Sequence, residues 1–204
     1  MIVKESSEEL NAPVGTAAAP RTRSTRSAKD YLALAIATCG VGYLPLAPGT
    51  WGSLVGVGIY FLLQSLTDRL IRWPVRTNSV LVISPWAIFI AVELATIAVV
   101  TLIGIWAATR TEKLSGRKDP GKVVVDEVTG QLIALLPLAP RPGLSSVVLA
   151  FALFRFFDIV KPYPARRFEK LESGLGIMSD DIVAGLYAAV GTSVIGAIFF
   201  FSTN

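Results

Sequence analysis

The chain has 204 residues, a length typical of one domain, and 52% of them are hydrophobic while only 17% are charged. Its mean hydropathy of +0.59 is high for a soluble globular protein and indicates a membrane protein. The single cysteine excludes an internal disulfide framework, and the absence of histidine excludes histidine phosphatases, Ser-His-Asp triads and HExxH zinc sites. Acid–base chemistry in this protein must therefore use carboxylates, lysine or metal-bound water.

The N-terminal residues 1–28 are polar, rich in Ala, Pro, Ser and Thr, and show no periodic apolar pattern. We predict a disordered cytoplasmic tail there, followed by a helical membrane domain over residues 29–204. Clusters of basic residues flank the apolar segments, which is typical of the cytoplasmic side of a membrane and attracts anionic lipid. Because no aromatic platform or recognition helix accompanies them, nucleic acid is not a predicted partner.

The apolar segments predict an all-α, membrane-embedded fold of about five to six helices. The first helix is short, over Tyr31–Thr38, and a loop rich in glycine and proline leads from it to a second helix over Leu54–Leu66. Residues 79–109 are long enough to cross a bilayer, with Trp86 and Trp106 placed as interfacial anchors.

The second half of the chain predicts three more helices. Glu127–Leu138 is short and is stopped by prolines, Leu144–Val160 is apolar with charges near its end, and Asp181–Phe201 is apolar over a spanning length. The tract of three valines at 123–125 favours a strand but is too short to predict one. Residues 79–109 and 181–201 are therefore the two predicted membrane spans.

The loop before the second predicted helix, Pro48-Gly49-Thr50-Trp51-Gly52-Ser53, is made mostly of small residues. Backbone N–H groups at such a helix N-terminus, together with the hydroxyls of Thr50 and Ser53, can bind a phosphate. The Gly-x4-Gly-Lys spacing of a Walker A loop is absent, so the spacing is equally compatible with a purely structural helix start.

Three acidic motifs lie at or near the boundaries of apolar runs and contain six of the fifteen carboxylates. These six are Asp119, Asp126, Glu127, Asp158, Asp180 and Asp181. Carboxylates are costly near hydrocarbon unless they pair with a cation or bind one. The motifs therefore predict a divalent-metal site at a membrane surface.

Each motif also has a structural interpretation when it is taken alone. Carboxylates at Asp126 and Glu127, in a first helical turn, are favoured by the helix dipole. Asp158 and Lys161 are three residues apart and can form an ion pair at a helix end, and Arg155, one turn earlier, can bind a phosphate or only extend to the surface.

The pair Asp180-Asp181 precedes the last predicted helix, so one of the two is expected to cap it. Two adjacent carboxylates repel each other, however, and a bound Mg²⁺ would remove that cost. Glu93 is the one carboxylate clearly inside a predicted span, and we expect a partner or a boundary position to satisfy it. The joint occurrence of three acidic motifs on a short chain favours a metal site over three separate structural roles.

Four segments, in order and spacing, resemble the bacterial phosphatidylglycerophosphatase A family: GVGYLPLAPGTWGSL, DPGKVVVDEVTG, FRFFDIVKPYP and GLGIMSDDIVAG, over about residues 31–200. The resemblance implies an all-helical, Mg²⁺-dependent phosphatase of the bacterial inner membrane, with its site on the cytoplasmic face. Its substrate would be phosphatidylglycerophosphate, which it would convert to phosphatidylglycerol and phosphate. The histidines that some members carry just before the Asp119 turn are missing here.

The acidic positions of the family fall on the six carboxylates named above, its lysine falls on Lys161, and its glycine loop falls on Pro48-Gly49-Thr50. From these positions and the motifs themselves we form a hypothesis for each site residue. The metal ligands would be Asp126, Glu127, Asp158, Asp180 and Asp181. The catalytic groups would be Asp119, Asp126, Asp158 and Lys161, with Asp119 as the general base. The substrate would be bound by Gly49, Thr50, Ser53, Arg155 and Lys161.

The sequence is also compatible with other functions. The substrate could be another lipid phosphate, such as phosphatidic or lysophosphatidic acid. A phosphatidyl-group transferase would carry Asp-x2-Asp-Gly-x2-Ala-Arg followed by Gly-x3-Asp-x3-Asp, and this pattern is absent. In a non-enzymatic scaffold or ion-transport protein, carboxylates are expected deep within the membrane spans. In this sequence only Glu93 clearly has such a position.

Overall fold

The computed structural model describes residues 26–76, 84–138, 142–168, 171 and 173–203. Within these ranges the chain is helical and contains no strand, which confirms the predicted all-α class. The helices are α1 (Ala28–Thr38), α2 (Pro48–Arg76), α3 (Pro85–Ser115), α4 (Val125–Leu135), α5 (Leu144–Val160), α6 (Ala165–Phe168) and α7 (Ser173–Thr203), with a 3₁₀ turn at Val41–Tyr43 between α1 and α2. The predicted tail lies largely outside the described residues, and its last residue, Ala28, begins α1.

Two helices begin more than one turn earlier than the sequence predicted. Helix α2 starts at Pro48 rather than at Leu54, because proline at a first helical position has a suitable backbone angle and needs no N–H partner. Helix α7 starts at Ser173, so Asp180 lies two turns inside the helix, and the prediction that one of the two adjacent aspartates caps it is wrong. The glycines of this first turn are helical because tertiary packing requires small residues there, which overrides their low helix propensity.

Helix α4 is the central element of the bundle. It packs against α2, α3, α5 and α7, and all of its residues except Glu127 are buried. On one side Leu132 and Leu135 join a cluster with Tyr60 of α2 and Phe89 of α3. Burial on every side places the first turn of α4, with its two carboxylates, among four neighbouring helices.

Two of the described helices, over Trp86–Ser115 and Ser173–Phe199, are long and apolar enough to cross a membrane. Only 17% and 22% of their most apolar stretches are buried inside the protein, so most of each stretch faces outward rather than into a core. This outward apolar surface is typical of helices in lipid. The two helices agree with the predicted spans 79–109 and 181–201, although residues 79–83 lie outside the described residues.

The ends of these two helices meet at one end of the bundle. The backbone N–H of Gly174 donates to the Thr109 hydroxyl over 3.0 Å. A short distance along α3, Gly104 packs against Met178 of α7 and Val125 at the start of α4. Trp106, 40% exposed, lies at this level of α3, where a tryptophan is typical of the headgroup region. The beginning of α4 is therefore level with the end of the bundle where these two apolar helices meet.

Glu93 differs from its prediction. Its side chain is fully buried on α3 near Tyr60, and neither carboxylate oxygen has a hydrogen-bond partner among the described residues. The expectation that a partner or a boundary position satisfies it is therefore wrong for the described part of the chain. It lies one turn from Phe89, far along α3 from the Thr109 end, and it is separate from the acidic motifs.

Helices α4 and α7 pack closely against each other at two glycines. A Cβ on Gly185 would lie 2.5 Å from the carbonyl oxygen of Gly130, and a Cβ on Gly130 would lie 2.6 Å from the carbonyl oxygen of Asp181. Real Cβ atoms do not come this close to backbone. The contact between these glycines therefore fixes how near α7 brings Asp181 to α4.

We expect Gly185→Ala to lower the free energy of unfolding by about 1–3 kcal/mol, because the added methyl forces α4 and α7 apart. The matched control is Gly196→Ala on the same helix, where a Cβ would meet nothing within 4 Å. Thermal unfolding in detergent, followed by circular dichroism, measures both variants. Equal melting temperatures for the two variants would contradict a tight contact at Gly185.

Candidate metal centre

The first turn of α4 is held in place from its N-terminal side. After α3 ends at Ser115, the turn containing Asp119 leads to Val124, whose backbone N–H donates to the Ala37 carbonyl of α1 over 2.8 Å. Helix α4 then begins with Asp126 and Glu127 in its first turn, as predicted. Two carboxylates thus enter the centre of the bundle together on a fixed backbone.

A third carboxylate comes from α7. One carboxylate oxygen each from Asp126, Glu127 and Asp181 can be chosen so that all three lie within 4.8 Å of one another. Asp126 and Asp181 are buried, with 8% and 4% of their surface exposed. We call these three residues the carboxylate cluster.

Two further aspartates border the cluster, and each is paired with a cation. Asp158 of α5 lies within hydrogen-bonding reach of Asp181, and its Oδ2 is 2.7 Å from Nη1 of Arg155. Lys161 donates from Nζ to Oδ2 of Asp180 over 2.7 Å. The structure thus brings the predicted ligands Asp126, Glu127, Asp158, Asp180 and Asp181 into one region, while their roles stay predictions.

The ion pair found for Lys161 is with a residue of another helix. The sequence allowed a pair with Asp158, three residues earlier, as the structural interpretation of this motif. Helix α5 ends at Val160, however, and Lys161 has a left-handed backbone with φ of 46°, so it no longer continues the helical face of Asp158. Its side chain pairs with Asp180 of α7, and the helical neighbour that pairs with Asp158 is Arg155.

Burial dominates the electrostatics of the α4 pair. It raises the pKa of Asp126 well above its usual range, and the nearby charge of Glu127, a hydrogen bond with that residue and the charges of Asp181 and Asp119 add to the effect. Burial also raises the pKa of Glu127, although its hydrogen bond with Asp126 lowers it in part. Without a cation, the cluster therefore resists carrying its full negative charge.

The donor set of the cluster fits a hard divalent cation. Oδ1 of Asp126, Oε2 of Glu127 and Oδ1 of Asp180 are buried and have no hydrogen-bond partner among the described residues. Buried carboxylate oxygens normally accept hydrogen bonds, so several that accept none indicate a missing partner. Carboxylate oxygens are the ligands that Mg²⁺ prefers in proteins. The residues present can therefore hold such an ion, with Asp126, Glu127 and Asp181 as the innermost donors.

Asp119, the predicted general base, is on the rim of this region. It is exposed, in a turn with a left-handed φ of 47°, and its charge acts on both Asp126 and Asp180. The turn predicted for Asp119-Pro120-Gly121 is thus present and folds a further carboxylate toward the cluster. This position exposes Asp119 to water while keeping it close to the buried acids.

The start of α2 packs directly on the cluster. A Cβ on Gly49 would collide with Oε1 of Glu127 and lie 2.9 Å from Nη1 of Arg155, so a larger residue here would displace these two charged groups. Thr50 follows it in the same turn, half-buried, and the buried Ser53 hydroxyl donates to the Gly49 carbonyl over 2.9 Å. The sequence predicted phosphate binding by this loop. It did not predict the contact of Gly49 with Glu127, and the small size of Gly49 was the one feature of the sequence that could have indicated it.

Comparison with known proteins gives matches over most of the chain. The sequence pattern of the family described as Phosphatidylglycerophosphatase A matches residues 34–195. Similar proteins include a "Putative phosphatidylinositol-3-phosphatase" of Bacteroides thetaiotaomicron, 37% identical over 77% of this chain and 91% of the relative. A "Phosphatidylglycerophosphatase A" of Haemophilus influenzae is 38% identical over 74% of this chain and 80% of its own.

A second protein named "Phosphatidylglycerophosphatase A", from Escherichia coli, is 34% identical over 74% of this chain and 74% of its own length. No solved structure matches the chain. The matched residues 34–195 include every residue of the carboxylate cluster and its borders.

Proposed function

Because the chain belongs to the phosphatidylglycerophosphatase A family, we propose that it hydrolyses the terminal phosphomonoester of phosphatidylglycerophosphate with the help of Mg²⁺. The products would be phosphatidylglycerol and inorganic phosphate. The observation that carries this proposal is the buried carboxylate cluster at the end of the bundle where the two apolar helices meet. We place this end at the membrane surface because Trp106 lies there, partly exposed. A lipid headgroup is presented at that depth, so the acids and a lipid phosphate can meet there.

Asp126, Glu127 and Asp181 would hold the cation, with Asp158 and Asp180 beside them as further donors. A bound Mg²⁺ supplies positive charge against the phosphate oxygens and acidifies water. Such a cation also supports the folded state, since it offsets repulsion among carboxylates that the bundle forces together. The unpartnered oxygens of Asp126 and Glu127 support this assignment.

Two cations of the protein itself would face the substrate phosphate. Lys161 and Arg155 are held at the border of the cluster by Asp180 and Asp158, each at 2.7 Å. A preorganised cation stabilises negative charge that develops on a transferring phosphoryl group, at no cost in reorganisation. The first turn of α2, next to Arg155 at Gly49, would add backbone N–H groups with a favourable helix dipole.

Asp119 would accept the proton of the attacking water. It is exposed on the rim, and its position near Asp126 keeps it within the field of the site. An exposed carboxylate returns the proton to solvent after each turnover, which a buried acid does less readily. This is the assignment made from the sequence, and it stays a proposal.

The orientation we propose places this end of the bundle in the cytoplasm of a bacterium, at the inner membrane. Exposed basic side chains lie near the site, at Arg117, Lys118, Arg166 and Arg167. Lysine and arginine next to membrane spans are enriched on the cytoplasmic side. The same charges would concentrate anionic lipid around the site.

The test is phosphate release by purified, detergent-solubilised protein from a panel of lipid phosphates in the presence of Mg²⁺. We expect phosphatidylglycerophosphate to have a kcat/KM about tenfold or more above phosphatidic and lysophosphatidic acid, since one lost polar contact costs on the order of a factor of ten. Phosphatidylinositol 3-phosphate belongs in the panel because a similar protein carries that activity in its name. Protein heated until unfolded is the blank.

The ranking of the panel decides between substrates. A higher kcat/KM on phosphatidylinositol 3-phosphate or phosphatidic acid would reassign the substrate and keep the phosphatase chemistry. No release from any lipid by protein with an intact melting transition would overturn the proposal altogether.

A further inference from the structure

The segment between α1 and α2 exposes three large side chains next to the site. Tyr43 is 62% exposed, Leu44 is 42% exposed and Leu46 is 88% exposed. We call residues 43–46 the apolar tip. Single exposed leucines are common on proteins, but two leucines and a tyrosine on one short segment form a patch that calls for a partner.

The tip is anchored at both ends on residues of the site. A Cβ on Gly42 would collide with the backbone carbonyl of Lys122, in the turn that contains Asp119. On the other side, Gly49 packs against Glu127 and Arg155. The segment is therefore a fixed rim of the carboxylate cluster rather than a distant loop.

The backbone of the tip holds its leucine outward at a cost. Leu46 and Ala47 both have left-handed backbones, with φ of 67° and 48°. Residues other than glycine disfavour this region, and such outliers persist where the surrounding structure imposes them, often at functional sites. A leucine that is forced into this conformation and then left 88% exposed indicates that its exposure is used.

The charge around the tip matches an anionic lipid surface. The ammonium of Lys122 lies over the Tyr43 ring, 5.5 Å from its centroid, and Arg117 and Lys118 are exposed on the same turn. Tyrosine and lysine beside apolar side chains are typical of segments that lie in a membrane interface. The start of α4, a few residues after Lys122, is level with Trp106, a residue type that is enriched in the headgroup region.

We propose that the apolar tip inserts into the lipid leaflet beside the site, with Leu44 and Leu46 among the acyl chains and Tyr43 with Lys122 at the headgroups. The inserted tip would hold the opening of the carboxylate cluster against the membrane, so that a long-chain lipid reaches it without leaving the leaflet. The insertion itself is independent of the proposed function, whereas its effect on catalysis rests on that function.

Insertion of the apolar tip into lipid can be measured without an enzyme assay. A Leu46→Cys variant, in a Cys39→Ala background so that it carries the one cysteine, is labelled with an environment-sensitive fluorophore and reconstituted in vesicles of phosphatidylcholine and phosphatidylglycerol. We expect brominated acyl chains to quench this label strongly. The matched control is Gly121→Cys in the same background, an exposed position near the tip where a Cβ meets nothing within 4 Å.

Two results of the fluorescence experiment would overturn the proposal. One is quenching at position 46 that is no stronger than at position 121. The other is a label at position 46 that is shielded equally in detergent and in vesicles, because the tip would then be covered by protein, such as the residues before position 26.

An activity measurement provides a second test, and the fluorescence result shows whether a change in activity can be assigned to insertion. We expect Leu46→Ser to lower kcat/KM on long-chain phosphatidylglycerophosphate in vesicles about tenfold, the factor expected from loss of one buried leucine contact. Activity on a water-soluble analogue with very short acyl chains should stay within about twofold. An equal loss on both substrates would overturn the effect on lipid access, and absence of activity in the unmodified protein would count against the proposed function alone.

Discussion

Removal of divalent cations with EDTA is expected to lower phosphate release from phosphatidylglycerophosphate at least about a thousandfold, and added Mg²⁺ should restore it. A metal ion contributes several kcal/mol of charge stabilisation to phosphoryl transfer, and about 4 kcal/mol corresponds to a factor of a thousand. In this protein the expected loss is large because an anionic phosphate would otherwise meet Asp126, Glu127 and Asp181 within a few ångströms. The measurement is the initial rate at a series of Mg²⁺ concentrations after EDTA treatment and desalting.

The same titration has a second readout that does not depend on activity. A ligand that binds only the folded state adds about 2.7 kcal/mol to its stability at a concentration 100 times its Kd. We therefore expect Mg²⁺ to raise the melting temperature of the metal-free protein, because it relieves the repulsion that burial enforces on the cluster. Full activity in EDTA, with a melting temperature that Mg²⁺ leaves unchanged, would contradict a metal centre.

Much of the fold could be predicted from the sequence because long apolar runs have few alternatives. Residues 79–109 and 181–201 are long enough to span a bilayer, and both correspond to long, outward-facing apolar helices. The starts of α2 and α7 were missed for one physical reason. Glycines such as Gly49 and Gly174 read locally as loop signals, yet close packing against other helices makes them the residues that fit inside a helix.

The site was predictable in its residue types but not in its pairings. Carboxylates near hydrocarbon are costly unless they bind or pair with a cation, so the positions of the acidic motifs beside apolar runs indicated the site. The partner of Lys161 depends on a left-handed residue at the end of α5, and the contact of Gly49 with Glu127 depends on how α2 crosses α4. Such contacts join residues far apart in sequence, where periodicity carries no information.

For Glu93 the sequence predicted the position of the residue but not its surroundings. A carboxylate inside a span suggested a partner, but the described residues offer it no hydrogen bond, although Tyr60 lies nearby. Its distance from the acidic motifs along α3 separates it from the cluster. The sequence thus located this buried charge correctly and misjudged its surroundings, since neighbours on other helices decide what satisfies a buried group.

The substitution Asp126→Asn is expected to lower kcat at least about a hundredfold, while the melting temperature of the metal-free protein stays the same or rises. Removal of a group that merely orients a metal ligand costs 10- to 100-fold, so loss of a ligand should cost at least as much. Asparagine keeps the shape of the protonated acid and can donate the same hydrogen bond to Glu127. Stability of the metal-free protein should therefore not suffer, because burial raises the pKa of Asp126 and the neutral amide replaces an acid that resists being charged.

The matched control is Asp30→Asn, which changes another buried carboxylate without touching the cluster. Asp30 pairs with Arg110 at 2.6 Å and accepts a hydrogen bond from the Ser27 backbone over 2.7 Å, at the start of α1. We expect this variant to lose stability, because a helix cap and an ion pair are weakened, while its kcat remains close to that of the unmodified protein. Activity and stability should thus change in opposite ways in the two variants. If Asp126→Asn kept a kcat within tenfold of the unmodified protein, Asp126 would not be a metal ligand, and the centre would have to be rebuilt around Asp158 and Asp180.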